Sequence, residues 1–483
     1  MTTPVIPGMH PDPSVCRVGE DYYLVCSSFE YFPGIPVFHS RDLVSWMQIG
    51  NALERPSQLL LTAETPSSAG IYAPTLRHHD GRFWLIVTSV SHGGGNMVFT
   101  ADDPAGPWSD PILLPDVGGI DPDLAWDDDG TCWCTVAGVL QYRIDLATGK
   151  TLGEPKRLWS GTPGAKAPEA PHLYRIGEHW YLMIAEGGTE RGHGVSIARG
   201  PAPDGPFEPC PANPILSHRS TDDPVQNTGH ADLVQAPDGS WWMVLLGVRP
   251  GGGTPGWHVL GRETFLAPVT WADGWPVVGE LSSGPPATAV VERDTFDDGE
   301  LRPCWVSVRD RSEQHCTTGE RPGWLTLHAR GSGVDDPAVV FVGRRQQHLS
   351  CRARTLVDPA GGTGGLAVRF DEEHHYEIEV ASGEAKVLAR IGPLRTVVAS
   401  RPVPSGPLVL GVQVDEAREF RDPRNGPDTI SFGVEEPDGT FTVLATLDGR
   451  YLSTEVAGGF TGRVIGVYAA TGTVHFDWFE YVA

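Results

Sequence analysis

Apolar residues along this chain come in short runs of five to eight, broken by turns, with 59 glycines and 43 prolines among 483 residues. Such punctuation predicts strands rather than helices. One phrase recurs five times: a glycine turn, one or two residues, an aromatic pair or near-pair, then an aliphatic run. It opens as Gly19-Glu20-Asp21-Tyr22-Tyr23-Leu24-Val25 and returns at Gly81-Arg82-Phe83-Trp84, Gly130-Thr131-Cys132-Trp133, Gly177-Glu178-His179-Trp180 and Gly239-Ser240-Trp241-Trp242. The glycines lie 62, 49, 47 and 62 residues apart. A period of that size, holding several short strands, predicts the blades of a five-bladed β-propeller.

A second element precedes each phrase: Pro11-Asp12-Pro13-Ser14, Tyr72-Ala73-Pro74-Thr75, Ile120-Asp121-Pro122-Asp123, Glu169-Ala170-Pro171-His172 and Gly229-His230-Ala231-Asp232. Aligned on the proline (Ala231 in the last copy), Asp12, Asp121 and His230 share one position, and Tyr72 and Glu169 share the one before it. Proline is tolerated at the first residue of a strand, where no ladder hydrogen bond is lost. The element is therefore expected to begin the innermost strand of each blade and to line the mouth of the central channel. The blade pattern fades after Trp271–Pro276, and Ser282–Thr288 reads as a linker by composition. From Val290 onward the chain alternates again, as in Tyr376-Glu377-Ile378-Glu379-Val380, with a last strand expected through Val474–Tyr481. The predicted architecture is all-β: a propeller over residues 1–281, a linker over 282–289 and a β-sandwich over 290–483.

The composition fits a folded chain, with 40% hydrophobic and 20% charged residues. A net charge of −25 repels nucleic acid phosphates and anionic membranes, whereas a neutral ligand such as a sugar feels no such barrier. The N-terminus lacks a basic and apolar leader pattern, so a cytoplasmic location is expected. A homo-oligomer is left open. The eight cysteines form no zinc-like double pair; Cys132 and Cys134, two apart in an apolar run, read as buried thiols on one face of a strand, with a redox or metal role as the lesser alternative.

Carboxylates gathered in one channel suggest acid–base chemistry, because burying them for stability alone is unfavourable. Hydrolysis of a glycosidic bond needs one carboxylic acid to protonate the leaving oxygen and one carboxylate acting from the opposite face, about 6.5–9.5 Å apart in the inverting case. Asp12 is placed as general base and Glu169 as general acid, its pKa raised by apolar Ala170 and Pro171. Asp121 is expected to raise that acid's pKa by like charge and to hold its orientation. A lone Asp-Pro is more often a turn; only the equivalence across repeats makes these acids stand out. Glu30 and Glu186 are rivals as substrate-binding or ion-paired groups. His230 reads as an ordering residue, a metal ligand or a satisfied core histidine, and Asp127-Asp128-Asp129-Gly130 as a hairpin turn rather than a calcium loop.

Together, His10-Pro11-Asp12-Pro13-Ser14, Gly119-Ile120-Asp121-Pro122, Glu169-Ala170-Pro171-His172-Leu173-Tyr174, Gly229-His230-Ala231 and Leu260-Gly261-Arg262-Glu263-Thr264 resemble glycoside hydrolase family 43, in its two-domain β-xylosidase and α-L-arabinofuranosidase branch. The resemblance implies an inverting, exo-acting enzyme with Asp12 as base, Asp121 as pKa modulator and Glu169 as acid, and a concanavalin-like C-terminal domain. It implies that Arg262 binds sugar hydroxyls and that His230 lies at the base of the pocket, in some members near a calcium ion; the chemistry requires no cofactor. Phe29 and Tyr72 are the expected sugar platform, and Phe460 is the sandwich aromatic expected to close the pocket, against the alternative of a buried sandwich residue. Tyr72 stands where the family often has Trp, and the segment from Cys134 to Lys150 is shorter than usual. The shorter loop is expected to open the pocket and shift preference toward arabinofuranosides. The expected substrate is a xylo- or arabinoxylo-oligosaccharide that loses one pentose, xylose or arabinofuranose, from its non-reducing end. The alternatives are a catalytically silent carbohydrate-binding propeller, against which the retained acids argue, and a protein-interaction propeller, whose period would be nearer 40–45 residues.

Overall fold

The computed structural model describes residues 2–91, 93–285, 289–311, 314–359, 361–417 and 424–483. Each glycine–aromatic phrase supplies the second strand of an antiparallel sheet: Asp21–Val25, Arg82–Val90, Cys132–Val136, His179–Glu186 and Trp241–Val248. Each pairs with a first strand, respectively Ser14–Val18, Gly70–His79, Asp123–Trp126, Glu169–Ile176 and Gln226–Gln235. These first strands touch one another around a ring, so they are the innermost of five blades.

The aliphatic runs are continuous because both faces of a blade are covered. Buried clusters fill every gap in the ring. Val25 and Leu85 lie between blades one and two, Ile86 and Cys134 between two and three, and Val139 and Leu182 between three and four. Met183 and Met243 lie between four and five, and Leu24 and Val244 between five and one. Cys132 and Cys134 share one buried face, and burial pushes both thiols up, as expected of packing residues. All eight cysteines are free. Asp127–Gly130 forms the predicted hairpin, with the Asp127 carboxylate accepting the Asp129 and Thr131 N–H groups at 3.1 and 2.9 Å.

Two devices close the ring. The N-terminal segment lies along the third strand of blade five, where Val5 N–H donates to the Thr264 carbonyl at 2.9 Å and His10 N–H to the Arg262 carbonyl at 3.1 Å. Inside the channel, the Arg77 guanidinium donates to Asp123 at 2.6 Å and to Asp232 at 2.8 Å. Asp232 also accepts from Ser14 Oγ at 2.7 Å and Tyr174 OH at 2.6 Å, while Asp123 accepts the Leu173 N–H at 2.9 Å. One cation thus joins side chains from all five blades. Burial opposes the charge on Asp232, but Arg77 and its other partners outweigh that and hold it well below the ordinary carboxylate range.

The fifth blade ends with the strand Trp275–Val278. Of the expected linker, Ser282 bridges Leu266 and the Gly284 N–H donates to the Thr3 carbonyl at 2.9 Å, whereas residues 286–288 lie outside the described residues. Together with one strand borrowed from the propeller, the strands that follow build two eight-stranded antiparallel sheets among the described residues, packed over a core that includes Trp305, Val387, Phe432 and Phe476. The expected last strand spans Thr473–Val482. One sandwich sheet takes a strand from the propeller: Tyr31–Phe32 pairs with Val306–Val308. Beside that graft, buried Glu30 faces Arg369 at 3.5 Å and accepts the Ser68 N–H at 2.9 Å. Arg369 also donates to Tyr31 OH and Glu372, both at 2.8 Å, so this rival carboxylate belongs to an ion network between the domains. Among the described residues no helix is long and apolar enough to cross a membrane.

Candidate active site

The channel mouth is shaped by a repeated backbone strain. Asp12, Asp121, Ala170 and His230, which the alignment makes equivalent, have φ of 57°, 53°, 47° and 47°. Left-handed backbone at non-glycine residues is unfavourable by about 1–3 kcal/mol and persists only where the surroundings enforce it. In blades two, four and five the first strand begins before the aligned position and carries a register shift across it, at Ile71/Pro74, Glu169/His172 and Gly229/Asp232. The expectation that this element starts the innermost strand therefore holds in blades one, three and four and is corrected in blades two and five, whose strands begin earlier, at Gly70 and Gln226. There the element is an irregularity within the strand, where proline is equally tolerated and a side chain is re-aimed.

The re-aimed residues meet in a cavity of about 320 Å³ whose walls include Asp12, Asp121, Glu169, His230, Arg262 and Tyr72. Phe29 and Phe460 also line it, so all eight residues singled out in the sequence meet here. Asp12 accepts from Arg262 Nη1 at 2.8 Å through one oxygen and from Ser27 Oγ at 2.5 Å through the other. Burial opposes its charge, but the Arg262 cation and the Ser27 hydrogen bond outweigh that and keep it below the ordinary aspartate range. The His10–Arg262 backbone pairing sets this contact, because it brings Arg262 beside the residue two positions after His10.

Glu169 is the opposite case. Burial first, then the charge of Asp12, push its carboxyl up to about 7. Asp121 is itself raised well above the usual range by burial, Glu169 and Asp12, and it accepts the backbone N–H of Ala170. Asp121 and Glu169 thus repel each other as like charges, the coupling expected of a pKa modulator, and the charge of Asp12 adds to it at both carboxyls. The Lys166–Glu190 ion pair lines the same cavity and acts on Glu169 in opposing senses.

His230 Nδ1 lies 3.4 Å from Asp12 Oδ1, and burial holds the imidazole at a pKa of about 3, so it is neutral. Calcium takes about six to eight oxygen ligands. The protein donors here are one imidazole and a carboxylate already engaged by Arg262 and Ser27, which do not make such a set. No group of three or more potential metal-ligating side chains occurs among the described residues.

Three rings form one wall. Phe29 and Phe460 are stacked with centroids 5.9 Å apart, and Tyr72 stands edge-on to both at 5.8 and 6.0 Å. Arg262 lies 5.6 and 5.4 Å from the centroids of Phe29 and Phe460. Phe460 is delivered from the sandwich by Gly458-Gly459. Gly459 has φ +76°, and a Cβ there would stand 2.3 Å from Ser68 Oγ, which accepts the Phe460 N–H at 2.9 Å. The second rival, Glu186, lies outside the cavity lining and accepts from Ser196 Oγ at 2.6 Å and the Thr162 N–H at 2.9 Å, bracing the loop before Glu169. Sequence reasoning missed Ser27, Lys166, Thr189 and Glu190. Their signal was weak because they fall outside the repeated element, although Thr189 accepts from Arg262 at 3.2 Å.

This geometry agrees with the comparisons to known proteins. Residues 1–276 match the glycosyl hydrolases family 43 model, and residues 293–482 match the beta xylosidase C-terminal concanavalin A-like domain. A non-reducing end alpha-L-arabinofuranosidase of Bacteroides ovatus is 39% identical, the alignment covering 99% of this chain and 94% of the relative. A xylosidase/arabinosidase of Butyrivibrio fibrisolvens is 36% identical over 97% of this chain and 95% of its own. The crystal structure of a xylan beta-1,4-xylosidase from Bacillus halodurans superposes with a TM-score of 0.88 at 30% identity, covering 100% of this chain and 99% of that one. With both domains matched and relatives similar over nearly their whole length, this chain belongs to glycosyl hydrolase family 43.

Proposed function

We propose that this glycoside hydrolase removes a single pentose, β-D-xylose or α-L-arabinofuranose, from the non-reducing end of xylo- or arabinoxylo-oligosaccharides, with inversion. The observation that carries the reading is the contrast between two carboxyls lining one cavity. Asp12 is held ionised by Arg262 and Ser27, and Glu169 is pushed up to about 7 by burial and the Asp12 charge. Environments that drive two carboxyls apart mark a base and an acid. Asp12 takes the proton of the attacking water, Glu169 delivers one to the leaving oxygen, and Asp121 positions Glu169 through the Ala170 N–H. Arg262 donates to the sugar while holding Asp12 ionised. The Phe29, Tyr72 and Phe460 rings receive the apolar sugar face and exclude water. The bounded cavity, closed on one side by a sandwich residue, supports exo action. A silent sugar-binding propeller would gain nothing from a carboxyl held protonated beside an ionised one.

No residue between Cys134 and Lys150 lines the cavity among the described residues; the Gly138 N–H instead donates to the Pro168 carbonyl at 2.7 Å in a tight turn. That low wall favours the furanoside. The test is a side-by-side assay of aryl α-L-arabinofuranoside and aryl β-D-xyloside: turnover of at least one, faster on the furanoside, is expected, and pentose release from neither would sink the proposal. The pH profile of kcat/KM supplies a second expected result. A general acid must be protonated, so activity falls as pH rises through about 7, where Glu169 loses its proton. A base must be ionised, so the acidic limb falls below the ordinary aspartate range, where Asp12 titrates.

A further inference from the structure

A second cavity, of about 180 Å³, shares no lining residue with the sugar pocket. Its walls are the propeller's N-terminal segment, at Val5, Ile6, Pro7 and His10, and the end of the sandwich strand Val340–Arg345. Arg345 is 4% exposed, and among the described residues its Nε and Nη2 are buried without a hydrogen-bond partner. The neighbours that act on its charge are Cys26, Tyr31 and Cys304, none of them a carboxylate, and burial draws the guanidinium down to about 10. Among the described residues the one acid in the wall, Glu292, is taken by Arg344 at 2.7 Å, and Arg344 Nε is also without a partner. His10 adds no charge: burial and Arg345 hold it neutral, and it bonds the Pro7 carbonyl at 3.0 Å through Nδ1.

A buried cation with no counter-charge is strongly unfavourable, and removing or neutralising it relieves the penalty. Nε and Nη2 form one edge of the guanidinium, the pair of parallel donors that matches two oxygens of an oxyanion rather than a single spherical ion. We propose that this cavity binds a small oxyanion, with inorganic phosphate as the probe, seated bidentate on the Nε–Nη2 edge of Arg345 and tying the N-terminal segment to the sandwich. The neutralised cation then becomes a cross-domain tether two residues upstream of Asp12.

The test is thermal unfolding of the full chain at fixed ionic strength, with sodium phosphate exchanged for sodium chloride. A saturable rise in Tm of about 2–4 °C with phosphate, and none with chloride, is expected. Arg345→Met should abolish that response and, without phosphate, be at least as stable as the parent. Arg345→Lys, which keeps charge but loses the fork, should weaken phosphate binding in calorimetry at least tenfold. Equal responses to chloride and phosphate, or a phosphate response that survives in Arg345→Met, would overturn the proposal. Should Arg345→Met not fold, crystals of the native chain soaked in selenate decide: an anomalous peak on the Arg345 edge supports the site, and its absence refutes it.

Discussion

Glu169→Ala is expected to lower kcat on xylobiose or an arabinoxylo-oligosaccharide by about 10²–10⁴-fold, the usual contribution of a positioned general acid. The loss should be much smaller on an aryl pentoside with an acidic phenol, because that leaving group departs with little help from a proton. The alkaline limb of the pH profile should vanish along with the carboxyl that sets it. Asp12→Ala should behave differently. It removes the group that activates water, so oligosaccharide and aryl substrates lose turnover together, again by about 10²–10⁴-fold. It also removes the charge that helps lift Glu169, so any residual activity should lose its alkaline limb at a lower pH than the parent. Steady-state kinetics on both substrate types across pH checks each point. Equal losses on both substrates for Glu169→Ala would remove it from the acid's role.

The second large effect concerns the propeller itself. Arg77→Met leaves Asp123 and Asp232 buried in the channel without their shared cation, at a cost of about 3–5 kcal/mol. Chemical denaturation should show that deficit near neutral pH. The sign of its pH dependence follows from Asp232, whose carboxyl Arg77 helps to hold far below its ordinary range. The stability this contributes is present above the ordinary aspartate value and is lost on acidification, so the gap between variant and parent should narrow as pH falls. A deficit below about 1 kcal/mol would mean that the channel network is not what closes the ring.

What could be read from the sequence follows from which features are local. The blade phrase is local: a turn, aromatics and an aliphatic run show in any one copy, and five copies give the period. The equivalence of Asp12, Asp121 and His230 was legible for the same reason, and the structure adds the shared left-handed backbone that makes it physical. The Arg77 network was not legible, although Ser14, Asp123 and Asp232 sit two residues beyond Asp12, Asp121 and His230 in the same motif. Its hub comes from blade two and its partners from the other four, and no single stretch of chain contains the pairing. The same limit explains Glu30, whose partner Arg369 lies in the other domain, and the Tyr31–Phe32 strand that joins the sandwich. The origin of the Glu169 shift is legible only in part: the repeats place the like charge of Asp121 nearby, whereas the contribution of Asp12 depends on how the folded channel brings blades one and four together. In the folded channel Arg262 keeps Asp12 ionised while Asp121 is pushed toward its neutral form.

The central claim, an acid and a base acting from opposite faces of one pentose, is tested most directly by the configuration of the first product. Proton NMR of the early turnovers on an aryl β-D-xyloside should show α-xylopyranose appearing first, with the β-anomer growing only by mutarotation. On the arabinofuranoside the β-anomer should come first. Initial release of the anomer with the substrate's own configuration would contradict the account, because it would require a covalent intermediate on one of these carboxylates.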